Sequence, residues 1–175
     1  MPATSSAPTP PSAALLLPDG HYRVDGAAST VRFAVAHFRV QTVRGTLTGL
    51  TGEVTITDGR LVARGSVDAT TVRTGTPPRD AHLRSFLLRT ADHPQIELRV
   101  DSAPAPEVAG ILWIRGRPVM VLVSVTADTQ ASRLRAGIAL DRRAAGLTWP
   151  APIEAGGVAV GRTVTVELDL ALQPA

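Results

Sequence analysis

Apolar residues recur at every second position along most of this chain, and that period restricts it to sheet. Within 158–172, Val164, Val166, Leu168, Leu170 and Leu172 alternate with Thr163, Thr165, Glu167 and Asp169. Successive side chains of a strand point to opposite faces, so the segment has one dry side and one wet side. In Gln95–Val100, Ile96, Leu98 and Val100 oppose Gln95, Glu97 and Arg99; in Ser132–Asp141, Leu134, Ile138 and Leu140 oppose Arg133, Arg135 and Asp141. Thr30–His37 puts Val31, Phe33, Val35 and His37 on one side. The same reading predicts strands at Tyr22–Asp25, Val43–Leu50, Glu53–Thr57, Leu61–Ala69, Val108–Arg115 and Pro118–Ala127, about ten candidates in all. In Pro118–Ala127 both faces are apolar, so either parity fits an inward face. Glycines punctuate the run, and Thr57-Asp58-Gly59-Arg60 is the clearest hairpin.

Strands with one wet face and short connections pair antiparallel. A run this long must close or fold over itself to hide its edges. The single helical candidate is Arg79–Leu88, where Asp80 can cap the first turn and Leu83, Phe86 and Leu87 share a face at helical spacing. The residues thus predict an all-β barrel with one short helix near 79–88, a two-sheet sandwich being the alternative.

A length of 175 residues allows one domain with a real core. Aromatics make up only 3%, so Val, Leu, Ile and Ala must build the interior. There is no cysteine, which excludes disulfides, thiol catalysis and cysteine-held clusters. All 18 cations are arginines, scattered among apolar neighbours with a net charge of only +3, which argues against nucleic acid as a partner. The apolar run at Val119–Val123 is far too short to span a membrane, so no stable insertion is expected. Residues 1–18 are uncharged and rich in Pro, Ala and Ser, and read as a disordered leader. They lack the basic start and apolar core of a secretory signal, so a single domain over 19–175 in the cytoplasm is expected.

Residues 71–94 break the alternation with a polar island: Arg79, Asp80, His82, Arg84 and Ser85, with Leu83 and Phe86 among them. Asp80 and His82 could both face a ligand, as an acid/base pair or as metal ligands. The structural reading is stronger: Asp80 as a cap, with Arg79 or Arg84 as its partner or on exposed carbonyls. His21, His37 and His93 sit apart, and no H-x-x-x-H or H-x-H occurs, so no metal site is expected. His37, at the end of an apolar face, reads as a core or rim residue. Ser29, Ser66 and Ser85 lack the context of a nucleophile elbow. No catalytic residues are expected.

The run Arg79-Asp80-x-His82-Leu83-Arg84-Ser85, with Val72-x-Thr74 before it and His93-Pro94 after it, resembles the YceI-like family of bacterial lipid-binding proteins. Flanking likenesses are Tyr22-x-Val24-Asp25, Ser29-x-Val31-x-Phe33-x-Val35-x-His37, Gly110-x-Leu112-x-Ile114-x-Gly116 with Pro118-Val119, and Arg142 followed by Gly146-Leu147. Together they span 21–172. Phe86-Leu87-Leu88 stands where the family usually shows Asp-Phe-Phe. The resemblance implies an extended lipocalin-like antiparallel barrel of about eight principal strands, some of the ten candidates being halves of one bent strand. It implies non-enzymatic binding, transport or storage of a polyisoprenoid, isoprenoid quinone or similar lipid in a tunnel, with no cofactor beyond such a lipid. A homodimer stays open.

An eight-stranded barrel is just wide enough to be plugged by its own side chains or to hold one slender ligand. The residues expected to line or close such a tunnel are Phe33, Val35, His37, Leu83, Phe86, Ile96, Leu98, Val121, Ile138 and Leu140. Two other functions compete: an enzyme using Asp80, His82 or His37 as acid/base on an apolar substrate, and a cavity-less stress-response or interaction module.

Overall fold

The alternating segments form eight strands, β1 (Gly20–His37), β2 (Gln41–Thr57), β3 (Arg60–Arg73), β4 (Gln95–Pro104), β5 (Glu107–Ile114), β6 (Arg117–Asp128), β7 (Arg133–Asp141) and β8 (Val160–Pro174). A computed structural model describes residues 17–37, 41–149 and 160–175. Each strand pairs antiparallel with its sequence neighbour, and β8 returns to β1, closing a barrel in the order β1 to β8. Closure leaves no open edge.

Two pairs of sequence candidates are each one bent strand. In β1 the register against β2 slips between Arg23 and Val31, and against β8 between Asp25 and Thr30. The Asp25 carboxylate accepts the Ala27 and Ala28 amides at 3.0 and 3.2 Å, and the Ser29 hydroxyl donates to the Asp25 carbonyl at 2.6 Å. These bonds replace the ladder that the bulge interrupts. Gly26 is required there, since a Cβ would sit 2.1 Å from the Leu50 carbonyl oxygen. In β2 the slip against β3 falls between Thr46 and Thr51. Asp58 and Gly59 both have positive φ, 50° and 70°, as the two-residue hairpin between β2 and β3 requires.

β6 has an inward parity that its composition could not reveal. Val121, Val123 and Val125 are buried, whereas Met120 and Leu122 stay 72% and 57% exposed on the outer wall. Between β3 and β4 lie α1 (Pro77–His82) and a π-helical turn, Leu83–Leu87. The helix is therefore present near 79–88, but its second half is wider than α geometry. Leu88 N–H bonds the Leu83 carbonyl at 2.8 Å, an i→i+5 closure.

At one end of the barrel the β2–β3, β4–β5 and β6–β7 connections are short. Leu17 (5% exposed), Ile56 (1%) and Val108 (1%) belong to one buried cluster with Tyr22 against it, and the Tyr22 hydroxyl donates to the Pro18 carbonyl at 2.8 Å. Leu17 and Pro18, at the end of the Pro/Ala/Ser-rich stretch, are thus part of the packed structure; residues 1–16 lie outside the described residues. The opposite end carries the long β3–β4 connection, 74–94, and the residues that follow β7, described as far as Trp149.

Candidate functional site

The inward rows of the barrel do not meet in a solid core. They enclose an apolar cavity of about 250 Å³ extending along the barrel. Its wall draws on alternate residues of the strands: Val31, Phe33 and Val35 from β1, Ile96, Leu98 and Val100 from β4, Ile138 and Leu140 from β7, and Val164, Val166, Leu168 and Leu170 from β8. The β3–β4 and β7–β8 connections add Leu83, Leu87, Leu88, Leu147 and Trp149.

Void survives partly because two facing wall positions carry no side chain. Gly52 on β2 and Gly65 on β3 lie opposite each other, and Gly65 in turn faces Leu98 on β4. All three line the cavity. The glycines also let the strands approach: a Cβ on Gly52 would fall 2.8 Å from the Arg64 carbonyl oxygen and 3.1 Å from Gly65 Cα.

Of the residues expected from the sequence, Phe33, Val35, Leu83, Ile96, Leu98, Ile138 and Leu140 border the cavity. Val121, Phe86 and His37 do not. Val121 points inward, pairs with Gly110 and is 8% exposed, but is buried in the packed cluster and does not border the void. Phe86 is 41% exposed, because the π-helical turn aims Leu83, Leu87 and Leu88 at the barrel and carries Phe86 outward. There its ring stacks on His82 at 5.2 Å. His37 ends β1 at the rim, past the point where the register with β8 slips between Val35 and His37. Trp149, Leu147 and Arg142 were not foreseen as lining residues, since they lie in an aperiodic connection with no pattern to mark an inward face.

The polar island is a structural knot beside the cavity. Asp80, 7% exposed, is not the cap residue of α1; that position is Thr76. Its carboxylate reaches back over the preceding turn, accepting the Thr74 amide at 2.8 Å and the Thr74 hydroxyl. Arg79 donates to the Thr74 hydroxyl at 2.8 Å and to the Thr74 carbonyl at 3.2 Å, and Arg84 to the Val72 carbonyl at 3.2 Å. The Thr74 hydroxyl above all, then its amide and the charges of Arg84 and Arg79, hold the Asp80 carboxyl below its ordinary range; burial pushes the other way. The Ser85 hydroxyl donates to the Ala81 carbonyl at 2.9 Å.

Arg142, 2% exposed, braces the connection after β7. Its guanidinium donates to the carbonyls of Leu147 (3.0 Å), Gly161 (2.9 Å) and Val160 (3.2 Å) and lies 5.2 Å from the centre of the Trp149 ring. The Trp149 indole N–H donates to His82 Nε2 at 3.2 Å.

Neither Asp80, His82 nor His37 borders the cavity. Among the described residues, no group of three or more His, Cys, Asp or Glu could hold a metal ion, and no helix is long and apolar enough to cross a membrane. The site offers shape and apolar surface, with Thr51, Glu53, Arg64 and Ser66 at its border on β2 and β3.

The profile of the YceI-like domain matches residues 22–172. Three solved structures share the fold. A polyisoprenoid-binding domain from Saccharophagus degradans, implicated in plant cell wall breakdown, is 21% identical, with 88% of this chain and 98% of that one covered and a TM-score of 0.67. BcnA of Burkholderia cenocepacia is 18% identical, with 86% and 99% covered and a TM-score of 0.69. The YCEI protein of Campylobacter jejuni is 11% identical, with 80% and 90% covered and a TM-score of 0.61. No protein of curated function matches the chain.

Proposed function

Because the chain belongs to the YceI-like family, we propose that it is a non-enzymatic binding protein that carries or stores a long-chain lipid, a polyisoprenoid or an isoprenoid quinone, inside its barrel. The observation that carries this reading is the dry cavity itself, about 250 Å³ of apolar void where a barrel of this size has the option of a solid interior. Apolar cavities stay empty of water and accept apolar guests. The polyisoprenoid-binding domain from Saccharophagus degradans supports the choice of ligand class.

The void has room for on the order of eight water-sized groups at about 30 Å³ each, one to two isoprene units without rearrangement. A longer chain enters by turning lining Leu and Val side chains aside. Eight buried carbons contribute about 6 kcal/mol before the cost of ordering the tail, enough for selection by length and width with little help from a head group. An enzyme built on Asp80, His82 or His37 would need one of them within hydrogen-bond reach of the guest, and none of the three borders the cavity.

Protein purified without detergent is expected to show a lipid-mass adduct in native mass spectrometry, and organic extraction to release a prenyl chain. An adduct-free protein that also takes up no polyisoprenoid from vesicles would overturn the reading.

A further inference from the structure

Outside the barrel wall, back to back with the cavity at Gly52 and Gly65, lies a second hollow, an open trough of about 720 Å³. Its floor is the backbone of Val24, Gly52, Gly65 and Leu98, which belong to the inward rows. Outward residues of the same strands form its two banks. Register runs Arg23, Glu53, Arg64 and Arg99 along one bank, from β1 to β4. It runs Thr51, Ser66, Glu97 and Trp113 along the other, from β2 to β5. Neighbouring strands lie about 4.8 Å apart, so the trough crosses about 19 Å of wall.

Opposite charges are register neighbours here, yet they do not pair. Among the described residues, the side chains of Arg23, Glu53, Arg64 and Glu97 make no hydrogen bond and no ion pair. Arg99 is held along its own strand by Asp101 at 3.1 Å, and the Thr51 and Ser66 hydroxyls bond each other at 3.1 Å. Two guanidinium groups and two carboxylates sum to zero, so no net field draws an ion into the trough. Trp113 ends the second bank half-buried, and among the described residues no other ring or cation covers its face.

The chemistry of the banks selects the guest. An anion would meet Glu53 and Glu97, and a cation Arg23 and Arg64. An apolar guest would strip water from all four without replacing its hydrogen bonds. A hydroxyl donates to a carboxylate and accepts from a guanidinium at once, so a neutral ligand dense in hydroxyls satisfies both signs. The C–H face of a sugar ring also gives an indole the apolar contact that its open face lacks. We propose that the trough binds an oligosaccharide, one ring stacked on Trp113 and the hydroxyls of the others bridging Glu97, Arg64, Glu53 and Arg23. The site goes beyond the lipid reading and does not depend on it, because the β2–β3 backbone separates the trough from the cavity.

The test is titration of the isotope-labelled full chain with linear tetrasaccharides of glucose, N-acetylglucosamine and xylose, read by amide chemical shifts. At least one is expected to shift the amides of Gly52, Gly65, Glu97 and Trp113 saturably. Trp113→Ala should weaken that binding about tenfold, and Glu53→Gln and Arg64→Gln about fivefold each. Trp113→Phe keeps a ring and should hold within about threefold. Arg64 is exposed, so Arg64→Gln carries the test should Trp113→Ala fail to fold. No shift with any of the three saccharides overturns the site, as does undiminished binding in the Trp113→Ala and Arg64→Gln variants. A response to inorganic phosphate without one to sugar overturns it too, since the trough would then be an anion site.

Discussion

Leu98→Trp is the sharpest probe of a cavity that holds chain. Leu98 borders the void from β4 and faces Gly65, which in turn faces Gly52, so the wall beside it carries backbone and no side chains. A larger ring can lie along that bare stretch without displacing neighbours. Replacing isobutyl by an indole adds about six heavy atoms, taking the place of roughly four chain carbons in a cavity of about 250 Å³. At about 0.8 kcal/mol per methylene, ~3 kcal/mol of binding is lost, a weakening on the order of 100-fold. Leu98→Phe adds about half as much and should weaken binding roughly tenfold. Because the ring enters existing space, the fold should lose under about 1.5 kcal/mol. The assay is titration of each variant with a fluorescent polyisoprenoid, with thermal melts alongside. A folded Leu98→Trp barrel that binds as tightly as the parent would refute the assignment of the void as the lipid site. So would equal losses for Phe and Trp.

Asp80 has a depressed carboxyl pKa in the fold, so its stabilisation is complete above the unfolded-state value and fades as pH falls through the folded one. Urea melts should show Asp80→Asn destabilised by roughly 1–3 kcal/mol at neutral pH, the gap closing as pH falls through the lowered folded-state pKa; a constant gap would argue against the carboxylate's role. Arg142→Ala strips donors from the carbonyls of Leu147, Val160 and Gly161, each worth about 1–3 kcal/mol when buried and unmet. Hydrogen exchange should then quicken at Leu147, whose amide bonds the Arg142 carbonyl at 2.8 Å, before it quickens in β4 or β5. Gly26→Ala puts a methyl 2.1 Å from the Leu50 carbonyl oxygen, and backbone cannot step aside as a side chain can. A loss of at least about 2 kcal/mol in thermal melts is expected, and a neutral result would mean the β1 bulge is softer than its geometry implies.

The chain's own pattern determined the sheet, the antiparallel pairing and ten strand segments, two pairs of which the structure joins into single bent strands, because a period of two and a two-residue turn are properties of neighbouring residues. It also placed Phe33, Ile96, Leu98, Ile138 and Leu140 on the inward rows, since parity carries along a strand until a bulge interrupts it. Where both faces were greasy, as in β6, only the partner strand decided: Val121 went inward beside Gly110, and Met120 and Leu122 were left outside. The π-helical turn that removes Phe86 from the cavity breaks the 3.6-residue spacing that a helical reading assumes. The void, the bare glycine pair in its wall and the bond between the two long connections all depend on residues far apart in the chain: Gly52 facing Gly65, and His82 bonded to Trp149 across 67 positions. Local sequence has no term for such distances. Empty space belongs to no residue, and only the closed ring of strands settles how much of it remains.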